Sequence, residues 1–255
     1  MWATLKTRLK QTNQCIKNPL KAEIPAPFRG LPLLDSEHCR HCDRCVKVCA
    51  AGAIQSLPLT IDMGKCVFCG DCAASCPNNI IKFSNFHKLA ATERDKLNIT
   101  GNIIPKDFPR SAISVKKEIK SIFGKSLKLR SVSAGGCNGC EMELNACFNI
   151  NFDLARYGIE IAASPRHADG IVITGPISGN MAGAVEKTLS AIPEPVIIIA
   201  MGTCAISGGI FKDSDSVNRS FFEKHRVDLF IPGCPVHPLN FIAGILSFLG
   251  NRKAQ

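Results

Sequence analysis

One cysteine spacing, used twice, constrains this chain more than anything else in it. HCRHCDRCVKVCA places Cys39, Cys42, Cys45 and Cys49, and KCVFCGDCAASCP repeats the pattern with Cys66, Cys69, Cys72 and Cys76. Both segments have the form C-x2-C-x2-C-x3-C. Three thiolates at this spacing wrap one iron–sulfur cube, and the fourth, held on the following turn, reaches the other cube. The expected assignment is therefore crossed, with Cys39, Cys42, Cys45 and Cys76 on one cluster and Cys66, Cys69, Cys72 and Cys49 on the other. Zinc takes four thiolates per ion, commonly as two separated C-x2-C pairs, and does not explain a crossed repeat.

This stretch, residues 31–86, resembles bacterial-type ferredoxins with two four-iron clusters. The short apolar pieces AIQSL, LTID and NIIKF fit the small hairpins of that family. The resemblance implies one-electron relay, with no substrate chemistry on the module itself. Pro77 follows the fourth cysteine of the second repeat, whereas Ala50 stands there in the first, which is expected to loosen that turn without removing a ligand. His38 and His41 flank the first motif and read as solvated loop histidines rather than as tuning or proton-coupled groups.

Four more cysteines follow apolar runs further on: Cys137 and Cys140 in SVSAGGCNGCEMEL, Cys204 in GTCAISGG, and Cys234 in PGCPVHP. Strands are expected near residues 127–132, 159–163, 171–174, 196–200 and 228–231. Helices are expected near 141–157, 181–191, 219–224 and 238–249. Such alternation specifies a parallel sheet with helices on both faces. Strands one, four and five would carry all four thiols to the carboxyl edge, where open α/β sheets bind ligands. Convergent thiolates suit an iron–sulfur cluster or zinc. The neighbouring glycines let the backbone approach a bulky cofactor and offer amide donors to its sulfurs. No G-x-G-x-x-G follows a strand and no Walker loop is present, so neither nucleotide nor flavin is expected.

Taken in order, CNGCE, SPRHAD, GTCAISGG and PGCP resemble the small subunit of membrane-associated, energy-converting (group 4) nickel–iron hydrogenases. That group includes the formate hydrogenlyase and hydrogenase-4 small subunits and is homologous to the 20 kDa subunit of respiratory complex I. The resemblance spans about residues 113–250. It implies a flavodoxin-like domain holding one four-iron cluster on Cys137, Cys140, Cys204 and Cys234, set against a large subunit that carries the catalytic metal. Complex I subunits use two adjacent cysteines where this chain has C-x2-C, as the hydrogenase branch does. Periplasmic uptake hydrogenases carry an export signal and a C-terminal domain with two further clusters. Neither is expected of this protein, in which the N-terminal ferredoxin would supply two clusters instead.

Three 4Fe-4S clusters thus account for twelve of the fourteen cysteines. Cys147 reads as a core residue and Cys15 as a structural or incidental thiol. Glu141 either places favourable charge at a helix N-terminus or passes protons at the subunit interface. Glu143 reads as a helix residue only. Arg166 and His167 would donate to the cluster or face the large subunit, and Asp169 would tie its loop.

The net charge of +10 is localised. Residues 1–30 carry six basic and one acidic side chain, residues 87–127 carry nine and four, and segments 31–86 and 128–255 balance to zero. Without interleaved aromatics this does not point to nucleic acid. It reads as a docking surface for an acidic partner subunit or an anionic membrane face, or as solvated linker charge. The tail has a weak apolar stripe of Leu5, Leu9 and Ile16 with Trp2 nearby, suited to partner contact, which is the preferred reading, to a membrane surface, or to a poorly ordered extension. Four segments are expected: a basic extension (1–30), a two-cluster ferredoxin domain (31–86), a basic linker ending in an amphipathic helix from Ile113 to Gly124 (87–127), and the flavodoxin-like domain (128–250). The fold class is α/β plus α+β.

No apolar run reaches the roughly 18 residues of a membrane span, and neither a signal-peptide core nor an Arg-Arg pair is present. A cytoplasmic protein is expected, peripheral on the inner membrane through partner subunits, with cysteines as metal ligands rather than disulfides. The function expected is electron transfer between a redox partner and the active site of a hydrogenase-like large subunit, with no catalytic residue on this chain. Membrane-arm subunits and a soluble redox donor or acceptor are further expected partners. Two other readings are a complex I-like quinone-linked enzyme lacking nickel and a non-catalytic redox sensor.

Overall fold

The computed structural model describes residues 2–10, 14–101, 103, 105, 107–108, 112–114, 121–124 and 126–250. An N-terminal helix, α1 (Trp2–Lys10), precedes the cysteine repeats. The repeats are framed by β1 (Pro32–Leu34), α2 (Arg44–Val48), β2 (Ile54–Ser56), β3 (Leu59–Asp62), α3 (Asp71–Ser75), β4 (Ile81–Phe83) and β5 (Asn98–Thr100). Strand β1 pairs antiparallel with β4, and β2, β3 and β5 make a second small antiparallel sheet.

The rest of the chain alternates: β6 (Leu127–Ser133), α4 (Gly139–Ala146), β7 (Ile159–Ile161), β8 (Gly170–Thr174), α5 (Gly179–Ser190), β9 (Ile197–Met201), α6 (Thr203–Ser207), α7 (Ser220–Lys224), β10 (Leu229–Ile231) and α8 (Pro238–Phe248). All five strands are parallel, in the order β7-β6-β8-β9-β10. Counted within the domain this is 2-1-3-4-5, the flavodoxin-like order. Every residue of β8 and β9 is buried, which explains their unbroken β-branched runs. Successive side chains serve opposite faces. Ile171, Ile173 and Ile198 join one apolar cluster with Val185 and Phe221, whereas Val172, Ile197 and Ile199 join the other with Leu144, Phe241 and Ile245. The first cluster runs on without interruption into Leu31, Ile61, Met63, Cys66 and Ile99, so the cysteine repeats and the parallel sheet share one core.

Three expectations need correction. The helix expected over 141–157 stops at Ala146, and a separate 3-10 turn covers Leu154–Tyr157. Asn149 Oδ1 accepts the backbone N–H groups of Asn151 (3.0 Å) and Phe152 (3.2 Å), and Asp153 takes a left-handed conformation with φ 46°. Asn and Asp side chains compete with the helical ladder in this way. The start of the 87–127 segment is no bare linker: Leu89, Ala91 and Leu97 are buried, β5 completes a sheet, and Ala91 bridges antiparallel to Phe230 on β10. Strands β1 and β5 and helix α6 have no counterpart among the elements expected from sequence. Half of the amphipathic helix expected over 113–124, residues 115–120, lies outside the described residues; of the described half, 121–123 are helical. Residues 14–30 are fastened to the body, with Ile16 N–H donating to Asn151 O (2.8 Å) and His87 Nε2–H to Pro19 O (3.2 Å).

Candidate iron–sulfur sites

The two cysteine repeats fold alike, residue for residue. In each, the residues before and after the second cysteine are left-handed: His41 (φ 48°) and Asp43 (φ 57°) in the first, Phe68 (φ 56°) and Gly70 (φ 88°) in the second. A one-turn helix follows, and the fourth cysteine ends it with nearly the same backbone, φ −81° at Cys49 and −80° at Cys76. Both terminal sulfurs accept the N–H four residues on, Ala53 to Cys49 at 3.3 Å and Ile80 to Cys76 at 3.4 Å. The turn with Ala50 thus has the same amide–sulfur bond as the turn with Pro77.

The packing of α2 against α3 crosses the two sets of thiols. Cys39, Cys42, Cys45 and Cys76 line one hollow, walled by Leu59, Ile80 and Ile81. Cys49, Cys66, Cys69 and Cys72 line a second, walled by Ile54, Ile61 and Phe83. Among the described residues no three such donors converge tightly enough to hold one metal ion. Four thiols spread around an apolar hollow fit a multi-iron cube better than a tetrahedral zinc ion with bonds of about 2.3 Å. Burial pushes the Cys66 thiol up to about 12 and the Cys72 thiol to about 11, and raises Cys45. Such thiols ionise when iron supplies the compensating charge, so cluster ligation is coupled to proton release.

At the carboxyl edge of the parallel sheet the other four cysteines meet. After β6 the chain turns through Asn138, left-handed at φ 68°, which sets Cys137 before α4 and Cys140 in its first turn. Cys204 lies in the first turn of α6, and Cys234 in the loop after β10. Burial pushes Cys140 up to about 12 and Cys204 to about 11, and raises Cys234; neighbouring thiols of the same set add to each rise. Gly202 is required here: at φ 93° a Cβ would stand 2.6 Å from Cys140 Sγ.

Two contributors carry no sequence signal. Arg219 donates from Nη2 to Ala205 O (2.8 Å) and Ile206 O (3.0 Å), and from Nη1 to Cys204 O and Pro176 O (3.3 Å each). It thereby caps α6, with its guanidinium stacked 4.4 Å over Phe222, and its positive charge opposes the rise of Cys204. Burial lowers Arg219 itself to about 10. Thr203, fully buried, donates to the Cys66 carbonyl (2.8 Å) and also approaches Gly233 O (3.2 Å). One hydroxyl thus joins a ligand loop of the second repeat to the two loops that carry Cys204 and Cys234.

Glu141 sits in the first turn of α4 and accepts from the buried Thr174 hydroxyl (2.7 Å). Glu143, its carboxyl raised by burial, lines a crevice with Phe28, Arg29, Cys234 and His237. Asp169 ties its loop, as expected, by accepting Lys128 N–H (2.7 Å). Arg166 and His167 stand on a 3-10 turn after β7, and both are exposed. Cys147 is a core residue, its thiol donating to Glu143 O (3.3 Å), and Cys15 Sγ lies 2.7 Å from Arg156 Nη1. His38 is exposed and pairs with Asp35, whose hydrogen bond raises its pKa. His41, expected to be merely solvated, donates from Nδ1 to Ser56 O (2.8 Å) beside Cys39.

Fold and sites together define a flavodoxin-like α/β protein with a four-thiol site at its sheet edge, built onto a cysteine-rich module of 4Fe-4S type. Residues 137–248 match the model of the NADH ubiquinone oxidoreductase 20 kDa subunit, and residues 59–82 match that of the 4Fe-4S binding domain. A probable membrane-bound hydrogenase subunit, mbhJ, of Pyrococcus furiosus is 33% identical over 129 residues, which cover 51% of this chain and 77% of that one. Formate hydrogenlyase subunit 7 of Escherichia coli is 36% identical over 147 residues, 58% of each chain. A subunit of the NADH-quinone oxidoreductase of Clostridium beijerinckii is 43% identical over 109 residues, 42% of this chain and 64% of that one. This chain belongs to the 20 kDa subunit family of NADH ubiquinone oxidoreductase and its hydrogenase relatives.

Proposed function

We propose that this chain is the electron-transfer subunit of a multisubunit nickel–iron hydrogenase-like complex, holding three 4Fe-4S clusters and no catalytic residue. The observation that carries this reading is the joining of three four-cysteine sets through one core, with Thr203 bonded across the second and third. The clusters, when bound, supply one-electron chemistry; the chain supplies ligands, spacing and dielectric. Cys137, Cys140, Cys204 and Cys234 would hold the proximal cluster, Cys66, Cys69, Cys72 and Cys49 the middle one, and Cys39, Cys42, Cys45 and Cys76 the distal one. Exposed Met142, Ile210 and Phe211 lie close in sequence to Cys140 and Cys204, an apolar rim suited to cover by a large subunit. Glu141, hydrogen-bonded to Thr174 next to Cys140, would pass protons across that boundary. Both hydrogenase relatives and the C-x2-C at Cys137 favour this branch.

Among the described residues no helix is long and apolar enough to cross a membrane. Attachment to the cytoplasmic face of a membrane would then run through partner subunits, with a soluble redox protein docking at the distal cluster. The likeness to a quinone oxidoreductase subunit supports a second reading, a nickel-free, quinone-linked complex. Anaerobic pull-down through a tag on this chain, with nickel and iron measured, decides between them. Nickel near one per roughly twelve irons on this subunit, with a large partner, is the expected result. Iron and a partner without nickel selects the quinone-linked complex; iron with no partner removes both.

A further inference from the structure

We infer that α1 is a membrane-surface anchor that lies on the anionic face of a lipid bilayer. None of its nine residues is buried against the rest of the molecule. Trp2, Leu5 and Leu9 are 76%, 54% and 77% exposed, and their spacing puts them on one face of the helix. Lys6 and Lys10 border this stripe on one side and Arg8 on the other, and the first acidic side chain in the sequence is Glu23. A nine-residue helix is marginal in water and gains its stability from burial of an amphipathic face.

Cations on both borders of an apolar stripe match a surface that presents anions on every side and apolar chains beneath. A bilayer with acidic headgroups is such a surface, and an indole at the end of the stripe suits its interface. The groove of a protein would need acidic rims on both sides of an apolar floor. Three apolar side chains bind only weakly alone, so the contact depends on charge. The anchor is coupled to the body: Ile16 N–H donates to Asn151 O, and Arg156 donates to Ile16 O and Lys17 O.

Trp2 is the only tryptophan, so its emission reports on this helix alone. The cluster-loaded full chain is titrated with phosphatidylglycerol/phosphatidylcholine vesicles and with phosphatidylcholine vesicles, reading Trp2 emission and co-sedimentation. A blue shift and co-sedimentation with the anionic vesicles only, reversed by salt, is the expected result. Lys6→Gln, Arg8→Gln and Lys10→Gln each weaken binding about fivefold at low salt, and Leu5→Glu/Leu9→Glu abolishes it. These variants touch no buried residue, and unchanged cluster absorbance verifies their folding. Absence of any shift with anionic vesicles at low salt, or unaltered binding by Leu5→Glu/Leu9→Glu, overturns the inference. A shift that requires a partner protein and proceeds without lipid overturns it too, in favour of a protein groove.

Discussion

Arg219 and Thr203 show how single side chains hold a cluster edge together. Every hydrogen bond described for the Arg219 guanidinium goes to a main-chain carbonyl, including that of Cys204 itself. Charge-assisted bonds of this kind are worth about 1.5–3 kcal/mol, and a positive charge beside a cluster favours its reduced form. Arg219→Gln should therefore lower the midpoint potential of one cluster, read by redox titration with EPR detection, and leave the other two unchanged. Thr203→Val keeps the shape but strands the buried Cys66 carbonyl. A loss of about 1–3 kcal/mol in urea unfolding is expected. Neither role is legible in the sequence, since Thr203 meets its partner across 137 positions. The two four-cysteine repeats are legible, because C-x2-C-x2-C-x3-C is a local code, whereas Cys204 and Cys234 are reached only through the strands they follow.

At the scale of elements, the two repeats are one loop–helix device used twice and crossed. Cys49→Ser and Cys76→Ser should each impair the cluster of the opposite repeat. EPR of Cys76→Ser should lose the signal tied to Cys39, Cys42 and Cys45, and Cys49→Ser the signal tied to Cys66, Cys69 and Cys72. The strands of the parallel sheet are readable from β-branched runs such as Ile171–Val172–Ile173, as their double burial demands. Strand β5 is not, since a single buried residue, Ile99, marks it amid polar neighbours. The end of α4 has a readable signal in Asn149, Asn151 and Asp153, but the apolar periodicity of the segment outweighs it.

The tail is tied to the body at His87, where burial lowers the imidazole to about 4 from the usual 6.5. The unfolded chain then binds the proton more tightly than the folded one. The stabilisation is complete above about pH 6.5 and is lost as pH falls towards 4, amounting to about 3 kcal/mol at most. His87→Gln keeps a donor towards Pro19 O and cannot titrate. Its stability should fall less than that of the native chain between pH 6.5 and 4, as measured by urea midpoints.

The whole molecule, on the function proposed above, is a three-cluster relay packed into a single body. Composition and spacing separate two domains by a linker, whereas Leu89, Ala91 and β5 close that gap and bring a ligand loop of the second repeat against α6. Linear spacing picks out candidate ligand sets, but only packing shows which sets are neighbours. The most direct test is iron and acid-labile sulfide per chain after anaerobic reconstitution of the full-length protein. About twelve of each are expected, from three four-iron clusters. A plateau at about eight, with Cys137, Cys140, Cys204 and Cys234 still open to alkylation, would contradict it, as would zinc in place of iron.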